Sequence, residues 1–174
     1  MRRGEGLLRS QSGQAMLELA IVTPLLLLLS IGVIELGRFA YIGILVGNAA
    51  RAGADYGAQS LAQSVDTVGI QTAAQNDYNN NGPRVCNPNG TPPVTTSCLT
   101  VTSSTACGCD NGGTTTAQTC TVANANSCTA VSKQVWVVTV SVTASGTFSP
   151  MFTYPGLPGA IAISRTSTLR VAQV

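Results

Sequence analysis

The chain has 174 residues, enough for one compact domain and an appendage. Only 9% of residues are charged, the formal net charge is +2, and residues 14–174 carry equal numbers of basic and acidic groups. A neutral body excludes the electrostatic footprint of a nucleic-acid binder, and the absence of His removes the commonest general base and metal ligand.

The first 13 residues hold Arg2, Arg3 and Arg9 against Glu5. They form a short basic leader that ends at Gly13. The positive-inside rule places this leader in the cytoplasm and everything after about residue 40 outside.

An apolar run follows. From Ala15 to Ile34 the only charged residue is Glu18, and Thr23 and Ser30 are the other polar ones. Twenty residues at about 1.5 Å each span roughly 30 Å, the thickness of a bilayer core. Leu25–Leu29 is too uniformly apolar for the surface of a soluble helix. The sequence therefore predicts a transmembrane helix at about residues 15–40.

Three readings of this run compete. One is a signal peptide cut late, near the small residues Gly43, Gly47, Ala49 and Ala50. The run is long for that. The second is an uncleaved signal anchor. The third is a prepilin-type signal, in which a Gly precedes the cut and a Glu stands fifth after it. Gly13 is followed by Gln14, Ala15, Met16, Leu17 and Glu18, so the spacing fits. Cleavage would expose an ammonium on Gln14, with Glu18 one helical turn further on the same face. A carboxylate there suits both that cation and the positive end of the helix dipole. A bare carboxylate beside hydrocarbon is costly, so a partner is expected, such as the amine of a neighbouring subunit.

Pro24 lies inside the span, where membrane helices tolerate it. Gly32 and Gly37 permit close helix approach. Glu35 and Arg38 are three residues apart and can pair across one turn. They are expected at the outer interface beside Phe39 and Tyr41.

Residues Gly13–Ala20, then Thr23–Leu29, then Gly32–Arg38, then Asn48–Ala54 together resemble the TadE-like family, the pseudopilins of the tight-adherence (Tad) pilus system. The resemblance covers about residues 12–54, a quarter of the chain. It implies a single-pass, pilin-like protein of a Flp-type pilus or secretion assembly. It also implies processing by a prepilin peptidase between Gly13 and Gln14, with Glu18 as the recognition and assembly carboxylate. The implied partners are the membrane, the prepilin peptidase, other pilin-like subunits and Tad assembly proteins. The alternative is an uncleaved, signal-anchored adhesin with a disulfide-stabilised outer binding region.

Phe39, Ile42, Val46, Ala49 and Ala50 keep a helical period, continued loosely by Gly53, Tyr56, Gly57 and Leu61. A helix is expected to run from the membrane to about residue 60, or as far as 75. Asn79-Asn80-Asn81-Gly82-Pro83 is a stop.

Six cysteines lie in the polar stretch that follows: Cys86, Cys98, Cys107, Cys109, Cys120 and Cys128. Behind an export signal they read as a disulfide framework. Cys107 and Cys109 are too close to pair with each other without strain, so each reaches another partner. A zinc site is the rival reading, but Cys107-Gly108-Cys109 has the wrong spacing and His is absent. Short strands are expected at Val94–Thr102 and Gln118–Ala123.

Lys133–Ala144 is the clearest strand, with Trp136, Val138, Val140 and Val142 on one face. Trp136 is assigned to the core rather than to a binding platform. The proline-bearing Ser149–Gly159 is a connection, and Ile161–Val171 is a second strand. These two strands are expected to pair antiparallel and to pack on the helix beyond the membrane.

The fold class expected is α+β. A single N-terminal transmembrane helix continues into a long extracytoplasmic helix, followed by a disulfide-rich loop region and a small antiparallel sheet. The expected divisions are a leader at 1–13, the TadE-like segment at 14–60, a helical linker at 61–81, the Cys-rich region at 82–130 and a β-strand region at 131–174. No catalytic constellation emerges, because Asp55, Asp66, Asp77 and Asp110 are scattered and the many hydroxyls have no His to activate them. No enzymatic activity, cofactor or metal is expected.

Overall fold

The structure is a computed structural model and describes residues 11–81, 99–121, 125, 127–128, 134–152, 156 and 158–171. In chain order the elements are α1 (Gln11–Ala58), α2 (Leu61–Ser64), α3 (Thr67–Asn81), β1 (Thr100–Asp110), β2 (Thr115–Gln118), β3 (Val135–Phe148) and β4 (Ile161–Arg170). The α+β expectation is met. The chain divides into two units, residues 1–40 and 41–174, and α1 contributes to both.

The first unit is helix through the apolar run. Its Leu, Ala and Met residues are strong helix formers. In hydrocarbon the backbone must satisfy its own polar groups, which a helix does. The two hydroxyls in the run are satisfied the same way: Thr23 donates to the Leu19 carbonyl at 2.6 Å and Ser30 to the Leu26 carbonyl at 2.8 Å. Pro24 is accommodated inside the helix. Every side chain from Gly13 to Ser30 is exposed. A core helix of a soluble protein would be covered; this one is long and apolar enough to cross a membrane, and among the described residues nothing covers its apolar run.

The second unit is an antiparallel sheet with helices on one face. The strand order is β2-β1-β3-β4. Val138, Val140, Val142 and Ala144 of β3 face inward and are buried. The opposite face is a field of hydroxyls, with Ser141–Thr168, Thr143–Thr166 and Ser145–Ser164 hydrogen-bonded across β3 and β4 at 2.8–3.0 Å. The alternation follows from the strand's period of two.

In this unit α1 buries Leu45, Val46, Ala49, Ala50 and Ala54, a stripe at helical spacing. The small residues of that stripe let β3 come close. A methyl group placed on Gly53 would lie 3.1 Å from Val142 Cγ1, and one on Gly57 would lie 3.0 Å from Val140 Cγ2. α3 buries Ile70, Ala74 and Tyr78, spaced by four, against the same core. The β3–β4 pairing and its packing on α1 thus follow the sequence pattern.

Three boundaries differ from the sequence reading. The helix ends at Ala58, close to the residue 60 expected, and does not run unbroken to the outer limit of 75. Ser60 takes an extended conformation and its Oγ accepts from the Gln63 amide, so it starts α2 instead of continuing α1. Of the strand expected at Val94–Thr102, residues 100–102 open β1, which runs on to Asp110, while residues 82–98 lie outside the described residues. Thr and Ser dilute the hydrophobic alternation of β1, and its pairing with β3 supplies what the pattern lacks. The strand expected at Gln118–Ala123 is β2 at Thr115–Gln118, set by the Asp110-Asn111-Gly112-Gly113 turn.

Candidate functional site

The residues expected from sequence to serve processing and assembly all lie on α1. Gly13 and Gln14 are in its first turns, and Glu18 stands one turn beyond Gln14 with its side chain exposed. Cleavage before Gln14 would therefore leave a helix whose new amine and Glu18 share one face. Arg38 donates to Glu35 at 3.0 Å, so the expected pair forms. An i,i+3 pair of this kind closes both charges within one turn as the apolar run ends. Gly32 and Gly37 have open space where a Cβ would be.

Beyond residue 40, Tyr41 is exposed and donates its hydroxyl to the Asn81 carbonyl at 2.8 Å. That bond fastens the end of α3 to the first turn of α1 in this unit. The sequence pattern suits Tyr41 to an aromatic belt and carries no sign of this partner, which lies 40 residues away.

The cysteines form a framework at the other end of the sheet. Cys107 pairs with Cys120 and Cys109 with Cys128, with Cα separations of 5.2 and 5.5 Å. Both Cys107 and Cys109 sit on the inward face of β1, where an i,i+2 pair points the same way. Each reaches a separate partner, as expected. Cys86 and Cys98 lie outside the described residues. Among the described residues no group of three His, Cys, Asp or Glu side chains could hold a metal.

Next to the first disulfide is a groove of about 440 Å³, lined by Leu61, Val65, Cys107, Cys120, Trp136 and Val138 among others. Trp136 is only partly buried and borders this groove rather than filling the core. The sequence could not separate these two places for it, since both require an inward-facing strand position.

Two carboxylates hold local structure. Asp66 accepts from the Gly69 amide at 3.0 Å and from the Tyr56 hydroxyl at 2.9 Å. These bonds hold its carboxyl below the ordinary value, and the Asp66 partner raises the Tyr56 phenol. Asp110 accepts from the Gly112 amide at 2.9 Å and pairs with Arg170 at 2.8 Å. The Gly112 bond and then the Arg170 partner lower its carboxyl. In the sequence these acids are scattered. The Asp-Asn-Gly-Gly run was a legible turn signal for Asp110, whereas Arg170 is brought there only by strand pairing.

Neither curated proteins nor solved structures match the chain. A family model does: residues 13–55 match the model described as TadE-like protein. That stretch joins the uncovered apolar helix to the small-residue stripe, ending two residues past Gly53, where β3 packs. The N-terminal quarter of the chain is thus a TadE-like segment, and it fits a membrane-anchored protein related to the Tad pilus system.

Proposed function

We propose that the protein is a pseudopilin-like component of a Tad/Flp-type pilus or secretion assembly, cleaved between Gly13 and Gln14 by a prepilin peptidase. The observation that carries this reading is the match over residues 13–55, whose apolar run is exposed throughout residues 13–30, with Glu18 fifth after Gly13. The basic leader stays in the cytoplasm and residues 41–174 stand outside. The helix inserts, the leader is removed, and helices pack side by side. Glu18 then sets the register, because its charge is satisfied only beside an amine. The protein acts by packing, not by catalysis.

The N-terminus of protein extracted from membranes tests this. Gln14 as first residue supports processing. An intact Met1, or a chain lacking only Met1, sinks it.

The second reading is an uncleaved, membrane-tethered adhesin. The groove beside Cys107–Cys120 favours it, because it places a partly apolar concavity at the disulfide-bonded end. The same N-terminal measurement separates the two readings.

A further inference from the structure

The contacts between α1 and β3 give the second unit a direction. Val140 meets Gly57, Val142 meets Gly53, and Gly146 meets Val46. As β3 advances, its partners on α1 step back toward Tyr41. α3 returns to the same place, since Asn81 accepts the Tyr41 hydroxyl. β3 ends at Phe148, which pairs with Ile161 at the start of β4. The end of β3 and the start of β4 therefore lie at the Tyr41 end of the unit. The disulfides and Trp136 lie at the opposite end, because Cys109 pairs with Trp136 at the start of β3.

The described start of the β3–β4 connection is apolar and exposed: Met151 is 65% and Phe152 50% accessible. Arg165 adds a cation at the same end. Its Cγ lies over Gly47 and its Nη2 over Gly43, 3.9 and 3.7 Å from where methyl groups on those glycines would be. The side chain thus runs along α1 toward Tyr41, with its stem on the helix and its charged head leading. Arg165 is exposed, and among the described residues its hydrogen bond goes to the neighbouring Ser164 carbonyl and not to a carboxylate.

We propose that Met151, Phe152 and Arg165 form a second membrane contact, by which the outer unit rests on the lipid surface that its own span enters. This rests on the membrane-anchored reading of α1. The occupant is lipid because Tyr41 follows the span directly in the chain, so this end of the unit is the one tethered at the bilayer. The chemistry agrees: an aromatic and a thioether enter the headgroup boundary, and a guanidinium meets phosphate. Such a contact restrains the outer unit without an additional anchor.

The test uses the full chain in vesicles of phosphatidylcholine and phosphatidylglycerol, with bromines near the ester end of the acyl chains as quenchers. Trp136 is the native reporter of the far end. Phe152→Trp and Leu27→Trp each add one reporter, at the connection and in the span. Quenchable, blue-shifted emission gained by both variants, with Trp136 itself unquenched, supports the proposal. Quenching gained by Leu27→Trp alone overturns it and leaves the span intact. If Phe152→Trp is then also shielded from iodide, that end faces protein and not lipid. Quenching gained by neither variant removes the span, and the proposal with it. Quenching of native Trp136 shows the wrong end on the membrane and likewise overturns it.

Discussion

Gly53 on α1 and Val142 on β3 meet with room for no side chain between them, since a methyl on Gly53 would lie 3.1 Å from Val142 Cγ1. The same added methyl would lie 3.2 Å from Ala74 Cβ on α3. Helix, returning helix and strand converge on this one missing side chain. Gly53→Val should therefore overpack the junction and cost about 1–3 kcal/mol. Denaturant unfolding of the reconstituted protein measures it. Gly113→Val, at a turn position with open space around it, is the control and should cost much less.

Ile70 is fully buried beneath that junction and touches Gly57 as well as Gly53 through its side chain and carbonyl. Ile70→Ala removes packing that the surrounding α1 and β3 backbones cannot fill by moving. The expected loss is about 2–5 kcal/mol. Equilibrium unfolding should show a lower midpoint with an unchanged slope.

The two disulfides tie the far end of the sheet. Replacing Cys109 and Cys128 together by Ser removes one tie and should cost about 2–5 kcal/mol. Limited proteolysis without reductant should then cut the Cys128 region in the variant while sparing the wild type. Peptide mapping should recover Cys107 joined to Cys120 and Cys109 joined to Cys128.

Asp110 and Asp66 bind their partners as carboxylates, and both are held below the ordinary carboxylate value. Their contribution is complete above the unfolded-state value of about 3.9 and is lost as pH falls through the lower folded-state values. Both groups are partly exposed, so the effect is modest and fades with added salt. Asp110→Asn should flatten the acid side of the stability profile and leave the neutral side little changed. Carboxyl NMR titration checks the depressed values directly. Tyr56 has the opposite sign: its phenol is raised, so the Tyr56–Asp66 bond persists below the ordinary phenol value and is lost as alkali strips the proton.

If the protein assembles as proposed, Glu18→Ala should leave it inserted and cleaved but abolish pili and adhesion, because the helix keeps its apolar surface and loses the charge proposed to set register. Normal pili from a cleaved, stable variant would remove the assembly role of Glu18.

The sequence alone determined the long apolar N-terminal helix, the resemblance of its first quarter and the β3–β4 pair. Each rests on local or periodic chemistry: an unbroken apolar run, a Gly-to-Glu spacing, an alternation of Val with Ser and Thr. It also required that Cys107 and Cys109 find separate partners, because two residues on one face of a strand cannot easily turn toward each other. It did not place β1, whose alternation is diluted by Thr and Ser until β3 pairs with it. Nor did it choose Cys120 for Cys107, put Arg170 beside Asp110 or lay Arg165 over Gly43 and Gly47. Those were decided by tertiary structure alone, because strand register and helix–strand approach join residues tens of positions apart, and no local pattern encodes that distance.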